Sequence, residues 1–462
     1  MSRTVVAGID SSTQSTKVVR VDAETGEILS KTSAPHPDGT SIRPERWWEA
    51  LESQGTLDDV AALSVSAQQH GMVALDASGA PVHDALLWND TRSAPQAKAL
   101  RERLGSEYWA KEIGIVPVPS FTVTKLAWLA ENHPELADRV HQVLLPHDWL
   151  TWQLAGRPAI ATTDRSDASG TGYYSVPEGR YREDILELAF GRTPQLPKVL
   201  GPSEVAGTTP SGALIAAGCG DNAGAALGLG LVPGEVVVSI GTSGTVFAPS
   251  AARIQDPSGA VAGFADATGN NLPLLATINA ARTLSASATM LNVDLNEFDR
   301  LASAGAPDAD GLTLIPYFDG ERTPDLPHAT GTMTGLTRAN FTPENMARAS
   351  VLGLLCTLSD ALDRLRAQGV SAQRIVLIGG GSLSRSVRRA AADIFGVEVV
   401  VPVSAEYVAL GAARQAAWAL SGESEPPTWS RTTDEIFEPQ GSTWAAEVRG
   451  RFTAARIATY GI

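Results

Sequence analysis

Residues 5–19 read VVAGIDSSTQSTKVV, which is an apolar run, a turn rich in hydroxyl groups and a second apolar run. β-Branched residues on both sides of such a turn predict a β-hairpin. The same plan returns at residues 236–247, which read VVVSIGTSGTVF. Two matching hairpins, one in each half of the chain, predict a duplicated domain.

Strand and helix patterns alternate between and beyond the two hairpins. A chain of 462 residues is too long for one ordinary hydrophobic core, so more than one domain is expected. The sequence predicts a helix that opens at Pro44, a long helix over 343–367 and an apolar strand over 374–378. This alternation predicts an α/β fold, with an N-terminal domain over residues 1–221 and a C-terminal domain over residues 222–462.

Composition excludes several classes of protein. A net charge of −15 without any Lys/Arg-rich run argues against a nucleic-acid or anionic-membrane partner. The two cysteines, Cys219 and Cys356, are too few for a disulfide framework or a thiolate zinc site, and no Walker A loop is present. The N-terminus reads directly as a strand without a secretory apolar segment, which predicts a cytoplasmic protein.

Asp221 interrupts an apolar, glycine-rich stretch over residues 213–230. A buried carboxylate costs free energy, so proteins keep one mainly where it has a chemical role. The glycines around it would let backbone or a ligand approach closely. The alternative is an Asp that caps a helix beginning at Asn222.

The turn between Asp10 and Lys17 carries a carboxylate, several hydroxyl groups, an amide and an ammonium group. Turn amides and hydroxyls can hold phosphate oxygens, Lys17 can neutralise one of them, and Asp10 can hold a hydrated Mg²⁺. Gly241 and Thr242 offer a similar set in the second hairpin. Two facing loops of this kind predict a nucleotide between them, and a solvated hairpin tip is the alternative.

A third candidate phosphate loop is the triple glycine at residues 379–381. It follows an apolar strand and precedes a helix predicted near residues 386–395. Taken singly, such a run is often only a tight turn.

A polar cluster follows two further predicted strands. Gln69 and His70 come after one of them, and Trp88 and Asn89 close the other. Polar residues at strand ends are where open α/β sheets bind ligands. Amides, a histidine and an aromatic face suit a sugar, whose hydroxyl groups need donors and acceptors. The alternative for His70 is a residue at the core edge, satisfied by a backbone carbonyl.

Together these segments resemble the FGGY carbohydrate kinases. The resemblance rests on residues 10–17, 220–222, 239–244 and 378–382, and it extends from residue 4 to about residue 420. Further motifs in the same order make the chain most similar to the xylulokinases of that family: QHG at 69–71, LWND at 87–90, FTVTK at 121–125, LPHD at 145–148 and PYFDGERTP at 316–324. The resemblance implies two duplicated actin-like, RNase H-like ATPase domains with an active-site cleft between them.

The resemblance also implies a reaction, in which ATP with Mg²⁺ phosphorylates the terminal hydroxyl of a ketopentose, D-xylulose being the expected sugar. It makes Asp221 the catalytic base and Asp10 a catalytic carboxylate that binds Mg²⁺. The implied sugar-binding residues are Gln69, His70, Trp88, Asn89, Asp221 and Asn222. The implied nucleotide-binding residues are Thr13, Ser15, Lys17, Gly241, Thr242, Gly379, Gly380, Gly381 and Ser382. Family members often form homodimers, and neither a nucleic acid nor a membrane is expected as a partner.

Three features depart from the family pattern. Gln69 stands where xylulokinases usually have Met, Ser12 replaces a glycine of the first phosphate turn, and the segment 51–60 is short. None of these changes removes a group that the chemistry needs.

Other functions remain open from the sequence. Another sugar or polyol kinase, acting on ribulose, arabinitol or glycerol, shares these motifs, although glycerol kinases have Arg-Glu in place of Gln69 and His70. A chaperone-type ATPase of the same fold would need a peptide-binding domain, and a sugar-sensing regulator would need a DNA-binding helix pair. ADP release that depends on sugar separates the kinases from both binding proteins.

Overall fold

The computed structural model describes residues 3–441 and 443–462, which divide into two compact units. The first unit contains the described residues up to Leu231 together with Arg253–Leu272 and Ala405–Arg431; the second contains Val232–Ala252, Pro273–Ser404 and the described residues from Thr432. The chain therefore returns twice to the first unit. The single domain boundary between residues 221 and 222 stays a prediction about the two halves of the sequence.

The first unit is built on a sheet that starts from the first hairpin. Strand Val5–Ser11 pairs in antiparallel fashion with Ser15–Asp22, which confirms the predicted hairpin. On its other edge Val5–Ser11 pairs in parallel with Ala62–Ala67, which in turn pairs in parallel with Leu214–Ala216 and with Cys219–Gly220. The carboxyl ends of these parallel strands meet at one edge of the sheet, which is the usual ligand-binding edge of an open α/β sheet.

One face of the first sheet packs against helices Glu45–Glu52 and Pro146–Leu154. Their aromatic residues Trp47 and Trp149 lie in one core cluster with Ile9 of the first strand. Side chains of this size bury the largest apolar areas, so they supply much of the hydrophobic stabilisation of this face.

The opposite face packs against helix Tyr407–Ser421. Val6 lies in a second core cluster with Ala409 of that helix. Gly8 is required at the contact, because a Cβ atom there would lie 1.8 Å from the carbonyl oxygen of Ala409. This close approach explains why residues 405–431 belong to the first unit although they come late in the chain.

The second unit repeats the topology of the first. Strand Glu235–Ile240 pairs in antiparallel fashion with Gly244–Phe247, which confirms the second hairpin, and Gly244–Phe247 pairs with Asn271–Thr277. On its other edge Glu235–Ile240 pairs in parallel with Arg374–Ile378, which pairs in parallel with Glu398–Pro402. The duplicated α/β fold predicted from the two hairpins is confirmed.

Helices Pro343–Ala367 and Arg385–Phe395 pack against each other and against the second sheet. The long helix begins where the sequence predicts, because Pro343 supplies a helical φ angle and the Thr342 side chain accepts a hydrogen bond from the Asn345 amide. Most of its apolar residues are buried, and Leu355 has no exposed surface.

The full set of elements is as follows. The strands of the first unit are Val5–Ser11, Ser15–Asp22, Ile28–Pro35, Ser41–Ile42, Ala62–Ala67, Val73–Leu75, Ala85–Leu86, Gln142–Leu144, Thr162–Asp164, Tyr174–Ser175, Arg180–Tyr181, Lys198–Leu200, Val205–Thr208, Leu214–Ala216, Cys219–Gly220 and Ala262–Ala265. Its helices are Glu45–Glu52, Ala94–Leu104, Ser106–Tyr108, Trp109–Ile113, Thr122–Asn132, Pro134–Ala137, Pro146–Leu154, Arg165–Ala168, Glu183–Phe190, Asp221–Leu229 and Tyr407–Ser421. The strands of the second unit are Glu235–Ile240, Gly244–Phe247, Asn271–Thr277, Thr313–Ile315, Thr332–Thr334, Arg374–Ile378, Glu398–Pro402 and Thr433–Phe437. Its helices are Ala281–Met290, Leu295–Ala304, Ala309–Gly311, Pro343–Ala367, Gly380–Leu383, Arg385–Phe395 and Thr443–Tyr460. Within residues 3–441 and 443–462, no helix has both the length and the apolar character needed to cross a membrane.

Candidate active site

The carboxyl edge of the first sheet gathers the polar residues singled out in the sequence. Asp10 is paired with Ser66 of the neighbouring parallel strand, and Gly220 is paired with Ala67. Asp221 follows Gly220 directly, and Gln69 lies two residues beyond Ala67. The sheet register therefore brings side chains that are far apart in sequence to one place.

Asp221 is the first residue of helix Asp221–Leu229, at the N-terminal end where a negative charge is favoured. Its Oδ1 atom accepts hydrogen bonds from the backbone N–H of Asn222 at 2.7 Å and from the side-chain nitrogen Nδ2 of Asn222 at 2.8 Å. Burial, followed by the nearby negative charge of Asp10, raises the pKa of Asp221 to about 7. The helix begins at Asp221 and its N-cap residue is Gly220, so the alternative of Asp221 as the cap of a helix that begins at Asn222 is wrong. With a pKa of about 7, the Asp221 carboxylate can exchange a proton near neutral pH.

Asp10 is buried and faces a chain of charges. Its Oδ2 atom lies 3.8 Å from Lys17 Nζ, and Lys17 Nζ donates a hydrogen bond of 2.8 Å to Glu406 Oε2. Burial raises the pKa of Asp10 to about 7, against the opposing effect of Lys17. Its Oδ1 atom is buried and has no hydrogen-bond partner within the part of the chain that the structure describes. An unpartnered carboxylate oxygen is a ready ligand for a hard cation or its water.

Gln69 is buried, and its amide bridges two elements of the site. Its Nε2 atom donates to the Ser166 carbonyl oxygen at 3.2 Å, and its Oε1 atom accepts from Asn222 Nδ2 at 3.4 Å. The side chain packs flat against Gly220, where a Cβ atom would lie 2.6 Å from Gln69 Cγ. Gln69, Asn222 and Asp221 therefore form one connected group.

His70 has a positive φ angle of 70°, an uncommon conformation for a residue with a side chain. Its Nδ1 atom lies 2.9 Å from the Gly170 carbonyl oxygen, so the alternative of a histidine satisfied by backbone holds for this nitrogen. The backbone carbonyl of His70 accepts hydrogen bonds from Lys125 Nζ at 2.8 Å and from Thr122 Oγ1 at 3.2 Å. The unusual backbone is thus held by a lysine that has no exposed surface.

Trp88 and Thr13 are in contact, although the sequence places one with the sugar and the other with the nucleotide. Trp88 Nε1 donates to Thr13 Oγ1 at 2.8 Å, and the Trp88 side chain is exposed. Asn89 Nδ2 donates to the Gly39 carbonyl oxygen, while its buried Oδ1 atom has no partner among the described residues. Trp88 therefore keeps an exposed aromatic surface, whereas Asn89 holds a buried acceptor atom without a partner among the described residues.

His36 contacts the turn of the first hairpin through both of its ring nitrogens. Its Nδ1 atom lies 3.0 Å from the Ser12 carbonyl oxygen, and its Nε2 atom lies 2.8 Å from Thr16 Oγ1. Both the amide and the hydroxyl of Ser12 donate to the Ser15 carbonyl oxygen at 3.0 Å. Ser12, which replaces the glycine of the family pattern, closes the turn through its own side chain.

The glycines around Asp221 serve helix packing. A Cβ atom at Gly228 would lie 2.0 Å from the Tyr407 carbonyl oxygen, and one at Gly411 would lie 1.8 Å from the Gly224 carbonyl oxygen. Two helices therefore cross in backbone contact at these residues. The glycines near Asp221 were expected to let backbone or a ligand approach closely, and here the backbone of helix Tyr407–Ser421 does so. This contact holds helix Asp221–Leu229 in position.

The second unit offers backbone groups at the corresponding edge of its sheet. Thr242 is exposed at the tip of the second hairpin, and its carbonyl accepts a hydrogen bond from Arg282 Nε at 3.3 Å. The Gly241 carbonyl accepts from the Ala281 amide at 2.9 Å, which attaches the hairpin tip to the start of helix Ala281–Met290.

The triple glycine follows strand Arg374–Ile378 of the second unit. Gly379 has a φ angle of 89°, and a Cβ atom there would lie 2.7 Å from the Ile240 carbonyl oxygen. A Cβ atom at Gly381 would lie 2.3 Å from Ile240 Cγ2, whereas Gly380 faces open space. The Ser382 hydroxyl donates to the Gly379 carbonyl at 2.7 Å, so it closes this turn. Gly380 is the member of the loop that a ligand can approach most closely.

The first unit also contains a cluster of buried ionisable side chains. His147 Nδ1 is 2.6 Å from Asp167 Oδ2 and 3.3 Å from Asp148 Oδ1, and all three side chains are fully buried. Although burial opposes it, the surrounding carboxylates raise the pKa of His147 to about 10. The three side chains are close enough to share a metal ion, but the short His147–Asp167 contact is that of an ion pair.

Four residues that support the site were not predicted: His36, Lys125, Ser166 and Glu406. A signal existed for two of them. Lys125 is a charged residue in the largely apolar first part of helix Thr122–Asn132, and Glu406 is the charge that precedes an alanine-rich helix. The argument that singled out Asp221, a charge in apolar surroundings, applies equally to Lys125.

Comparison with known proteins matches both halves of the chain to one family. The model of the N-terminal domain of the FGGY family of carbohydrate kinases matches residues 5–228, and that of the C-terminal domain matches residues 236–420. This chain belongs to the FGGY family of carbohydrate kinases. It is accordingly an enzyme that uses ATP as its phosphoryl donor and a sugar as its acceptor.

Members of the family with high similarity span nearly the whole chain. A xylulose kinase of Streptomyces coelicolor is 45% identical over 91% of this chain and 89% of its own length. One of Streptomyces rubiginosus is 44% identical over 94% of this chain and 92% of its own length. The crystal structure of xylulose kinase from Bifidobacterium adolescentis is 47% identical, with a TM-score of 0.91 over 98% of this chain and 99% of that chain.

Proposed function

We propose that this kinase transfers the γ-phosphoryl group of ATP to the terminal hydroxyl of a ketopentose, with D-xylulose as the preferred sugar. The choice of sugar is supported by the xylulose kinases that are 44–47% identical over nearly the full chain. The observation that carries the chemistry is the Asp221 carboxylate, whose pKa of about 7 suits a base at neutral pH.

Asp221 accepts the proton of the sugar hydroxyl during phosphoryl transfer. The two hydrogen bonds that Asn222 donates to this carboxylate both end on Oδ1, and we propose that Oδ2 accepts the incoming hydroxyl. A base placed in this way contributes on the order of 10²–10⁴-fold to the rate.

Asp10 is the residue that we propose to hold Mg²⁺. Its buried, unpartnered Oδ1 atom fits a hard cation that binds through oxygen, directly or through water. When bound, the ion would neutralise charge that develops on the phosphate oxygens. Lys17 contributes to the same neutralisation, and its hydrogen bond to Glu406 sets where its ammonium group lies.

The sugar is proposed to contact His70, Trp88, Asn89 and Asn222, with Asp221 at the reacting hydroxyl. Trp88 offers an exposed aromatic face, and Asn89 beside it has a buried amide oxygen that has no partner within the described residues. Such groups match the alternation of carbon faces and hydroxyl groups on a sugar. Gln69 belongs to the same edge of the sheet, although its amide is engaged by Ser166 and Asn222.

The nucleotide is proposed to contact Thr13, Ser15 and Lys17 of the first hairpin. In the second unit we propose contacts to Gly241, Thr242, Gly379, Gly380, Gly381 and Ser382. Exposed Thr242 and Gly380, which has open space beside its Cα atom, support direct contact. For Gly379, Gly381 and Ser382 the geometry supports a role in shaping the loop.

The test is ADP release from Mg·ATP in a coupled assay with D-xylulose, L-ribulose, D-ribulose, D-arabinitol and glycerol. The highest kcat/KM is expected for D-xylulose, and a clear preference for another acceptor would refute this choice of sugar.

The Asp221→Ala variant should bind ATP with nearly wild-type affinity and lose sugar phosphorylation. Turnover close to wild type in that variant would refute Asp221 as the base.

Two proposals concern the whole protein. A homodimer is proposed because the family often forms one, and light scattering coupled to size-exclusion chromatography tests it. A cytoplasmic location is proposed because the phosphoryl donor is ATP, and fractionation of the producing cell tests it.

A further inference from the structure

We infer that Gln69 is a positioning residue for the catalytic base and that it acts through Asn222. This inference rests on the proposed role of Asp221. It reassigns the residue that departs from the usual family pattern: the Gln69 amide is not a sugar ligand but a link between the backbone of one element and the carboxylate of another.

The hydrogen bonds form a chain in which Asn222 donates toward Gln69 on one side and toward Asp221 on the other. The Ser166 carbonyl accepts from Gln69 Nε2 at 3.2 Å, and Gln69 Oε1 accepts from Asn222 Nδ2 at 3.4 Å. Asn222 Nδ2 also donates to Asp221 Oδ1 at 2.8 Å. A primary amide nitrogen carries two hydrogens, so both hydrogens of Asn222 Nδ2 are used.

Both ends of this chain are acceptors, which fixes the orientation of each amide. The Ser166 carbonyl can only accept, so Gln69 must turn its nitrogen toward Ser166 and its oxygen toward Asn222. An ionised Asp221 can only accept, so Asn222 must present its nitrogen to both neighbours. Reversal of either amide would set two acceptors against each other. Gln69 therefore determines how the Asn222 amide meets the Asp221 carboxylate.

Packing holds Gln69 in place. Gly220 lies directly before Asp221, and a Cβ atom there would lie within 2.6–2.7 Å of Gln69 Cγ, Cδ and Nε2. The Gly220 amide donates to Ser166 Oγ at 3.0 Å. Ser166 thus accepts one hydrogen bond from the backbone of Gly220 and another from the side chain of Gln69. Gln69 is 5% exposed, so its amide is largely enclosed by these partners.

This arrangement predicts how the Gln69→Met variant behaves. Met has nearly the same volume and flexibility, so the fold should be preserved, but it can neither donate to Ser166 nor firmly accept from Asn222. The Asn222 amide is then free to rotate away from Asp221 Oδ1. We expect kcat to fall about tenfold on the preferred sugar, with the KM for sugar and the KM for ATP each within about twofold of wild type.

A double-mutant cycle with Asn222→Ala tests whether Gln69 acts through Asn222. If it does, Gln69→Met should change kcat by less than about twofold once Asn222 has been replaced, because the link is already broken. Equal effects of Gln69→Met in the two backgrounds would overturn the inference. A rise of tenfold in the KM for sugar with unchanged kcat would also overturn it, since that is the signature of a direct sugar contact.

A structural readout separates this inference from the proposed reaction. In a crystal structure of the Gln69→Met variant, the side-chain amide nitrogen of Asn222 should no longer contact Asp221 Oδ1, whether or not any sugar is turned over. An Asn222 amide that stays in place would overturn the inference, even in an active enzyme. Wild-type-like turnover of Asp221→Ala would instead remove the proposed base and leave the observed link between Gln69 and Asn222 intact.

Discussion

The two units share one sheet topology but place different chemistry at the same position of the hairpin. Asp10 is the next-to-last residue of strand Val5–Ser11, where it is paired with Lys17. Ser239 is the next-to-last residue of strand Glu235–Ile240, where it is paired with Thr245. The first hairpin therefore carries a buried carboxylate and an ammonium group where the second carries two hydroxyls.

The segments that follow the parallel strands differ in the same way. After Ala62–Ala67 the first unit continues with Gln68, Gln69 and His70, whose side chains and backbone are bound by several partners. After Arg374–Ile378 the second unit continues with the glycines 379–381. At the corresponding edges of the two sheets, the first unit thus presents side chains and the second presents backbone.

This difference matches the ligands that each unit is proposed to bind. A sugar differs from its epimers in the placement of single hydroxyl groups, so its recognition and its deprotonation need placed side chains. Phosphate groups can be bound by backbone amides, which glycine leaves accessible. Four predictions break or sharpen this contrast.

The largest effect is expected at the paired positions of the two hairpins. Asp10→Asn removes the proposed Mg²⁺ ligand with little change in volume, and kcat should fall on the order of 10²–10³-fold. Ser239→Ala at the corresponding position should keep kcat within about threefold, since no charge is lost. Steady-state kinetics at saturating ATP and sugar measure both. Similar losses in the two variants would contradict the assignment of charge chemistry to the first hairpin alone.

The next effect concerns adjacent glycines of the second unit. Gly379→Ala should destabilise the protein by about 2–4 kcal/mol, because Gly379 has a φ angle of 89° and its new methyl group would meet the Ile240 backbone. Gly380→Ala faces open space and should change stability by less than about 1 kcal/mol, while it raises the KM for ATP. Urea denaturation and steady-state kinetics test the pair. An unchanged KM for ATP in Gly380→Ala would argue against nucleotide contact at this glycine.

A smaller effect links the proposed base, Asp221, to the stability of the fold. Burial raises the pKa of Asp221 to about 7, so folding favours its protonated form between the unfolded pKa and pH 7. The stability that this protonated form provides is complete below the unfolded pKa and is lost as the pH rises through 7. Asp221→Asn should therefore be more stable than wild type by about 1–3 kcal/mol at pH 8, with no gain near pH 3.5. Urea denaturation across this range measures the difference, and a gain that is independent of pH would refute it.

Much of the fold could be predicted from the sequence because both hairpins carry strong local signals. The apolar runs and turns of residues 5–19 and 236–247 predict strand pairing that the structure confirms. The unit boundaries could not be read in this way. They depend on Gly8 and on the late helix Tyr407–Ser421, and a contact between segments so far apart in sequence leaves no local pattern.

The site was predictable as a set of residues but not as a network. Asp221 is conspicuous because a charge in an apolar stretch needs a reason, and Asp10 because it opens a hydroxyl-rich turn. Ser166 has no such signal, since a serine on a short helix is ordinary and its role depends on Gln69 and Gly220. Which roles these residues perform stays a prediction until the variants are measured.

The smallest effect tests whether a buried side chain shapes the proposed sugar-binding edge of the first unit. Lys125 is fully buried, burial lowers its pKa to about 7, and its ammonium group donates to the carbonyl oxygens of His70 and Ser120. Lys125→Met keeps the shape of the side chain and removes both donors, so His70 should lose its φ angle of 70°. The KM for sugar should rise about tenfold, or about 1.4 kcal/mol, while the KM for ATP is unchanged. Lys98→Met, at an exposed position of the same unit, is the matched control and should alter neither constant. A folded Lys125→Met variant with a wild-type KM for sugar would show that the His70 backbone keeps its conformation without the lysine. The hydrogen bond from Lys125 would then not be needed to shape this edge of the first unit.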